Sequence, residues 1–363
     1  MSTLTYKCPS CGAPLVYQGD TQTLDCNSCG NSFSGETVRK VSEIDSQSGK
    51  NDTSWDMQND GYTQQEAERT RTFSCTSCGA ELVTDETTVA TNCAFCGSPS
   101  IIPAQFTPGT RPDKVIPFIV KKEEAERAFH QYFRGKKMLP DAFLKGKNQI
   151  GRIMQLYVPY WLFNCRADAD ISYNATQVHS HRSGNYIETI TRHFLVRRAG
   201  SLDFENLPID AHSRIDNDIT ETLEPYKTES AIDFSPEVLS GAMANRADVS
   251  TEECKRRADQ RISDTIERTM RQTVQGYNSV STRSRSINIP HGQSTPALFP
   301  LWQITTIKDG KPYTFAINGQ TGKLTTNIPY SKGKFFGWAL GIAGIFTALA
   351  FAAVTALLMT GGM

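Results

Sequence analysis

The sequence lacks the residue patterns that mark the common classes of enzyme. It contains no His-Glu-x-x-His, no Gly-x-Ser-x-Gly and no set of helicase motifs. One stretch, Gly319–Lys323, approaches a phosphate-binding loop, but that motif needs a glycine at 317 and a hydroxyl at 324. The chain has Ile317 and Leu324 there, so we predict a β-turn. No catalytic residue is assigned, and we expect a protein that is not an enzyme.

The chain also lacks a net charge. Its 38 Lys and Arg residues balance its 38 Asp and Glu residues. The distribution is uneven: residues 1–100 carry 6 basic against 13 acidic side chains, and residues 101–330 carry 30 against 25. Nucleic-acid binding depends on Lys and Arg that neutralise phosphates. The acidic N-terminal segment therefore makes nucleic acid an unlikely partner and favours contact with proteins.

The first residues, Met1–Lys7, contain no apolar run of the kind found in a secretory signal. Free thiols that bind metal are typical of reducing compartments. We therefore expect the bulk of the chain to lie in the cytoplasm.

Eight of the ten cysteines form a pattern that occurs twice. Each copy has two Cys-x-x-Cys-Gly knuckles, and fourteen residues separate the second cysteine of the first knuckle from the first cysteine of the second. Every cysteine of the second copy lies 67 positions after its counterpart, which indicates a duplicated module. The predicted metal ligands are Cys8, Cys11, Cys26 and Cys29 in the first copy and Cys75, Cys78, Cys93 and Cys96 in the second.

The spacing predicts two zinc ribbons. A Cys-x-x-Cys turn brings two sulfurs to one side of a tight loop, and two such turns about fifteen residues apart complete a tetrahedral site. Four thiolates leave no open position, so we expect two structural zinc ions that supply most of the folding free energy of the ribbons. Disulfides are disfavoured by the paired spacing. Iron remains possible because rubredoxin uses a similar knuckle.

Composition divides the chain into segments. We predict zinc ribbons over 1–39 and 71–100, a polar linker over 40–70 with a weak helix near Gln64–Arg71, and a proline-rich linker over 101–112. The ribbons would then form an arm in front of a body that spans 113–330.

The body has the pattern of an α+β domain with an antiparallel sheet. Lys121–Phe133 is an amphipathic helix, and Ser250 with Glu253 begins a second helix that runs to about Gln272. The predicted apolar stripe of that helix is Cys254, Ala258, Ile262, Ile266 and Met270. Strands are predicted over 150–164 (with Pro159 at an edge or bend), 167–176, 186–197, 301–307 and 313–317, with turns at Ser183–Asn185, Asp309–Gly310 and Asn318–Gly319.

The tail predicts a membrane anchor. Residues 335–359 carry no charged side chain, and as a helix they would be about 37 Å long, enough to cross a hydrocarbon core of about 30 Å. Lys332 and Lys334 precede the segment, so the positive-inside rule keeps the N-terminal side in the cytoplasm.

Several motifs are spread over most of the chain. They are the CxxCG knuckles, Tyr157–Phe163, Leu223–Tyr226, Phe234–Pro236 with Leu239–Gly241, and Pro300–Trp302 with Phe315–Lys323. These motifs resemble those of bacterial membrane-anchored proteins called TFIIB-type zinc ribbon-containing proteins, also labelled primosomal protein N′-like. The resemblance implies an association with SPFH-domain proteins and phage-shock-type envelope stress systems.

Three hypotheses follow. The first is a non-catalytic scaffold, tail-anchored in the inner membrane, that recruits cytosolic proteins to the bilayer. The second is a membrane-tethered nucleic-acid binder, motivated by the ribbons and by the basic residues of 255–285. The third is an enzyme, supported only by His179 and His181, which we expect to be surface residues without a metal.

Overall fold

The computed structural model describes residues 6–47, 52–57, 59, 61–88, 90, 92–104, 109–134, 136, 153–308, 311–328 and 331–360. Within them lie fifteen strands and six α-helices, which confirms the α+β class. The strands are β1 Val16–Gln18, β2 Thr23–Asp25, β3 Ser32–Ser34, β4 Asp52–Asp56, β5 Thr70–Cys75, β6 Glu81–Asp85, β7 Ile101–Ala104, β8 Lys114–Val115, β9 Met154–Ser183, β10 Tyr186–Asp210, β11 Ile232–Asp233, β12 Met243–Asn245, β13 Ser279–Lys308, β14 Lys311–Asn318 and β15 Leu324–Thr326. The helices are α1 Gly35–Gln47, α2 Gln64–Glu68, α3 Lys122–Phe133, α4 Asn217–Leu223, α5 Thr251–Gln272 and α6 Lys332–Thr360.

The chain folds into two units. Unit 1 contains Met1–Gln58, Leu162–Ile209 and Ser250–Thr295. Unit 2 contains the rest of the chain, namely Asn59–Trp161, Asp210–Val249 and Pro296–Met363. The long strands β9 and β13 contribute residues to both units.

Helix α5 supplies one side of the core of unit 1. Its N-cap is Ser250, whose hydroxyl accepts a hydrogen bond from the Glu253 N–H at 3.3 Å. The stripe predicted from the sequence, Cys254, Ala258, Ile262, Ile266 and Met270, is buried along its whole length. Ile262, Ile266 and Met270 pack against alternate residues of β9 and β13, including Ile171, Tyr173 and Ile287. A four-residue spacing places these side chains on one face, which is why this part of the core could be predicted.

Strand β4 belongs to the same unit. It pairs in parallel with β13. The Trp55 ring packs edge-on against Phe163 with centroids 4.8 Å apart, and its Nε1 donates to Asp259 at 2.8 Å. The indole lies over Gly292, where a Cβ would come within 2.1 Å of the ring. The contacts of Trp55 and the pairing of β4 with β13 therefore attach this polar segment to unit 1.

The structure differs from the predicted linkers. Residues 40–70 contain the second half of α1, strand β4 and helix α2, which has a capping box between Thr63 and Glu66. In 101–112, β7 pairs with β5 from Cys75↔Ile101 to Thr72↔Ala104. Polar composition suggested linkers because most of these side chains face solvent, while backbone pairing and a few apolar contacts order the segments.

Unit 2 is built on a mixed sheet. The strand order is β11-β8-β13-β9-β12-β6-β5-β7, and β14 and β15 extend β13 through antiparallel pairs. Pro159 lies in β9 two residues beyond Tyr157, the last residue that β12 pairs. Its carbonyl accepts from Ala211 N–H at 2.9 Å. Pro159 lies beyond the residues that β12 pairs, so its missing N–H costs that ladder no bond.

The C-terminal hairpins agree with the prediction. Strands β13 and β14 are in register from Leu301↔Asn318 to Lys308↔Lys311, and the predicted turn Asp309–Gly310 lies outside the described residues. Strands β14 and β15 pair up to Ile317↔Leu324, so Gly319–Lys323 is a β-hairpin turn.

That turn packs tightly onto the rest of unit 2. Asn318 Nδ2 donates to the Leu223 carbonyl at 2.9 Å, and Lys323 Nζ donates to the Glu224 carbonyl at 2.7 Å. Gln320 Oε1 accepts from the Lys227 N–H at 2.7 Å. The donors and acceptors of this motif are thus used to attach the turn to residues 223–227.

Helix α6 is apolar and exposed. The window Lys332–Ala353 is 22 residues long, with a mean hydropathy of 1.9 and none of it buried. Exposed Phe335, Phe336 and Trp338 lie in its first turns. By length and composition α6 is a helix that could cross a membrane.

Gly319→Ala should destabilise unit 2, because a Cβ at this position would meet Phe118 Cδ1 at 2.6 Å and Pro300 Cβ at 2.8 Å. We expect a loss of about 1–3 kcal/mol in the free energy of unfolding. Thermal melting of the detergent-solubilised chain tests this. Gly19→Ala is the control, since a Cβ there meets nothing within 4 Å. Equal melting of the two variants would contradict the packing described for the turn.

Candidate metal centres

The predicted cysteines lie together in two groups of four. In each group the sulfur atoms all lie within 4.8 Å of one another. The shortest cross-knuckle distances are 3.6 Å for Cys8–Cys29 and 3.5 Å for Cys11–Cys26, and 3.6 Å for both Cys75–Cys96 and Cys78–Cys93. We call these groups centre 1 (Cys8, Cys11, Cys26 and Cys29) and centre 2 (Cys75, Cys78, Cys93 and Cys96).

Four knuckles repeat one backbone geometry. In each, the N–H of the first cysteine donates to the carbonyl five residues later, and the glycine N–H donates back to the carbonyl of that cysteine. The first bond is Cys8→Ala13 (2.7 Å), Cys26→Asn31 (2.9 Å), Cys75→Ala80 (2.9 Å) and Cys93→Ser98 (2.8 Å), and the second comes from Gly12, Gly30, Gly79 and Gly97 at 2.8–2.9 Å. These four glycines have φ between +69° and +78°, the left-handed region that disfavours side chains. The left-handed backbone conformation therefore explains why a glycine follows each Cys-x-x-Cys pair.

Geometry and chemistry fit a tetrahedral metal ion in each centre. A metal–sulfur distance of about 2.3 Å implies sulfur–sulfur edges of about 3.8 Å, close to the distances observed. The closest cross-knuckle sulfurs lie 3.5–3.6 Å apart, too far for a disulfide bond of about 2.05 Å, and all eight cysteines are free thiols. A set of four sulfurs with no other donor matches structural zinc or iron sites.

The thiols of each centre differ in acidity. The backbone N–H of Cys29 lowers the pKa of Cys26 to about 7. Burial opposes ionisation of Cys75, but the backbone N–H groups of Cys78 and Ser77 lower its pKa to about 7. Burial raises the pKa of Cys93. A cation must therefore displace protons from the less acidic thiols, and metal affinity should fall as the pH is lowered.

In unit 1, Arg283 connects the first knuckle to the rest of the unit. Its Nη1 donates to the Pro9 carbonyl at 3.0 Å and to Asn174 Oδ1 at 3.3 Å. Its Nε and Nη2 donate to the Asp45 carboxylate, both at 2.9 Å, and this contact lowers the pKa of Asp45. The arginine side chain is only 13% exposed.

In unit 2, Arg214 makes the equivalent contact with centre 2. Its Nη1 donates to the Cys78 carbonyl at 2.8 Å, and its Nη2 donates to the Gly79 carbonyl at 2.9 Å. The second knuckle is held separately, since the Ala94 carbonyl accepts from Gln303 Nε2 at 2.8 Å and from Thr305 Oγ1 at 2.9 Å. Both knuckles of centre 2 are therefore fixed to the folded unit.

A guanidinium beside a four-thiolate centre also complements its charge. A divalent ion with four thiolates carries two negative charges, and each arginine binds the knuckle backbone next to them. Sequence analysis did not find Arg214 or Arg283. Their separation from the cysteines in the chain leaves no local pattern that could have identified them.

The histidine pair does not form a metal site within the described residues. His179 and His181 both lie on the exposed part of β9. His181 Nε2 lies 3.1 Å from Glu188 Oε2, and neither histidine belongs to a group of three potential ligands in the part of the chain that the structure describes.

We expect two metal ions per chain, which elemental analysis of the purified protein would measure. Cys11→Ser combined with Cys29→Ser should reduce the content to one, because a serine hydroxyl does not replace a thiolate ligand at neutral pH. Cys78→Ser with Cys96→Ser should do the same for centre 2. The control is Cys165→Ala, which changes a buried cysteine outside both centres and should leave two ions. An unchanged content in either double variant would refute that centre.

Arg214→Met should weaken metal binding at centre 2, because the knuckle loses both guanidinium hydrogen bonds. We expect affinity to fall about tenfold, the lower end for changes outside the ligand shell. Competition with a chromogenic chelator, carried out on the Cys11→Ser/Cys29→Ser protein, reports centre 2 alone. Arg69→Met is the matched control, since Arg69 lies in the same unit and forms an exposed ion pair with Glu237. Equal affinity in both variants would mean that Arg214 has no part in positioning the ligands.

Comparison with known proteins gives one informative relative. No family model and no solved structure matches the chain. The Bacillus subtilis (strain 168) protein described as "Uncharacterized protein YdjG" is 34% identical over 360 residues, which cover 99% of each of the two chains. The chain therefore belongs to the same family as YdjG.

Proposed function

We propose that this protein is a membrane-anchored scaffold whose two zinc-stabilised units recruit cytosolic proteins to the bilayer. The observation that carries the proposal is the combination of two closed four-cysteine groups with a C-terminal helix that is apolar, exposed and long enough to span. Closed thiolate sites stabilise a fold and leave no position for a substrate. An exposed apolar helix needs a lipid environment.

Zinc is the proposed metal at both centres. Four thiolates in tetrahedral positions match the usual structural zinc site, and zinc needs no redox partner. Iron would occupy the same cage, as in rubredoxin-type knuckles. The colour and absorption spectrum of the purified protein would distinguish the two, because zinc thiolates are colourless.

The proposed topology places the bulk of the chain in the cytoplasm at the inner membrane. Lys332 and Lys334 come just before the apolar stretch of α6, which favours a cytoplasmic N-terminal side. Phe335, Phe336 and Trp338 are 45–62% exposed and lie at the level where aromatic side chains favour the membrane interface.

The recruitment role is supported by the exposed faces of the two ribbons. Val16 and Tyr17 on β1 are 46% and 62% exposed, and Ile102 on β7 is 52% exposed. Val16 and Tyr17 lie in the acidic N-terminal segment of residues 1–100, which favours proteins over nucleic acids as partners, and Ile102 directly follows that segment. The resemblance to membrane-anchored TFIIB-type zinc ribbon proteins suggests an SPFH-domain protein as the partner.

Nucleic acid is disfavoured because several of the basic residues of 255–285 contact partners within the protein. Arg256 pairs with Glu253, and Arg285 pairs with Glu267. Arg261 Nη1 donates to the Pro208 carbonyl at 2.8 Å, and Arg283 is occupied by Asp45 and Pro9. Phosphate binding would have to break these contacts. We therefore expect no salt-dependent gel shift with DNA or RNA.

The proposal predicts that the full chain stays with membranes after an alkaline carbonate wash, because only detergent removes a spanning helix. A chain ending at Ile328 should move to the soluble fraction. Affinity purification from solubilised membranes should then recover a cytosolic partner, with an SPFH-domain protein enriched in quantitative mass spectrometry. The control bait is α6 fused to an unrelated soluble domain.

Two results would contradict the proposal. The full chain could appear in the soluble fraction, which removes the anchor. Alternatively, the full chain and the control bait could recover the same proteins in the same amounts, which removes the recruitment role.

A further inference from the structure

The hairpin formed by β9 and β10 extends beyond the strands that support its base. Asn278, just before β13, makes two hydrogen bonds to β9: its N–H donates to the Thr176 carbonyl at 2.8 Å, and its Oδ1 accepts from the Val178 N–H at 2.8 Å. From Val178 to His193 every residue is exposed. We call residues 178–193 the hairpin tip.

Apolar side chains are concentrated at the end of the hairpin tip. Tyr186 is 80% exposed and Ile187 is 74% exposed, and both follow the turn that contains Gly184. Ile190 and Val178 are 44% and 38% exposed. Neighbouring residues on a strand point to opposite faces, so Tyr186 and Ile187 present apolar surface on both sides of the ribbon.

Basic and titratable side chains surround these apolar residues. The hairpin tip contains Arg182 and Arg192 against a single acidic residue, Glu188, which lies beside His181. It also contains three histidines, at positions 179, 181 and 193. Arg182 Nε donates to the Gly184 carbonyl at 3.1 Å and so holds the turn in place.

A two-stranded hairpin is only marginally stable by itself in water. A hairpin with exposed aromatic and branched apolar residues on both faces therefore favours an environment that covers both faces at once. A flat protein surface would cover one face, whereas the headgroup region of a bilayer surrounds the whole end of a narrow ribbon. Tyrosine is enriched at that depth, and arginines attract anionic lipids.

We propose that the hairpin tip is a membrane-docking element, in which Tyr186 and Ile187 enter the headgroup region of an anionic bilayer and Arg192 contacts lipid phosphates. This site is additional to α6. It relies on the proposed function only in that the same chain carries a helix able to place it at a membrane. The site lies entirely within unit 1.

Hydrogen exchange of the full chain in lipid nanodiscs tests the proposal. The probes are discs of phosphatidylcholine alone, discs of phosphatidylcholine with phosphatidylglycerol, and detergent micelles. Peptides covering 178–193 should exchange several-fold more slowly in the anionic discs than in detergent, with an intermediate effect in neutral discs. The base of the hairpin provides an internal reference, since Ile171 and Tyr173 are buried in the core.

Two variants and a control separate the contribution of the apolar side chains from that of Arg192. Tyr186→Ser with Ile187→Ser should abolish the slowing in both kinds of disc. Arg192→Glu should remove the difference between anionic and neutral discs, and it leaves the Arg182 contact with the turn intact. The control is Leu195→Ser, which removes an apolar side chain that is 37% exposed on β10 outside the hairpin tip and should leave the slowing unchanged.

The outcomes against the proposal are distinct. Equal exchange in detergent and in both discs would overturn it. Slowing that occurs in detergent and increases with protein concentration would also overturn it, and would indicate pairing with a second copy. If the chain does not enter discs, the anchor proposed for α6 has failed, and the same exchange measurement with vesicles of the two compositions then tests the hairpin tip alone.

Discussion

Four cysteine sulfurs that lie within 4.8 Å of one another can hold a cation between them, and each unit contains one such group. A ribbon of about thirty residues buries too little apolar surface to fold unaided. The knuckle glycines provide the turn, the sulfurs provide the cage and a bound metal would supply the missing free energy. Arg283 in unit 1 and Arg214 in unit 2 attach the knuckle backbone to the surrounding fold. We therefore expect metal occupancy to be coupled to the packing of residues far away in the sequence.

The features that could be predicted are those that depend on residues close together in the sequence. The grouping of the eight cysteines follows from a spacing repeated at a constant offset of 67 residues, because the turn geometry of a knuckle depends on adjacent residues. The buried face of α5 follows from its four-residue period, and Ser250 was identified as the N-cap from its own sequence context. The hairpin turn at Gly319–Lys323 was separated from a phosphate loop by two positions, and the structure uses its polar groups to bind residues 223–227.

The features that were missed depend on partners distant in sequence. Trp55 makes its segment part of unit 1 because Phe163, Asp259 and Gly292 form its site, and nothing near residue 55 reveals them. Strand β7 was hidden by Pro103, yet it pairs with β5. Strands β9 (Met154–Ser183) and β10 (Tyr186–Asp210) are also longer than the strands predicted over 150–164, 167–176 and 186–197. Their exposed tip has no alternating pattern of buried residues that could have marked it as a strand. A contact made by a single arginine or tryptophan leaves no periodic signal.

The chain thus combines two four-cysteine groups that could hold metal ions with a C-terminal helix long and apolar enough to cross a membrane. The central claim is that each unit contains a closed cage of sulfur ligands around one structural ion. X-ray absorption at the metal edge of the purified full chain tests it most directly. The account predicts a zinc edge, four sulfur neighbours at about 2.3 Å and no nitrogen or oxygen in the first shell. Nitrogen or oxygen neighbours, or fewer than four sulfurs per metal, would contradict it.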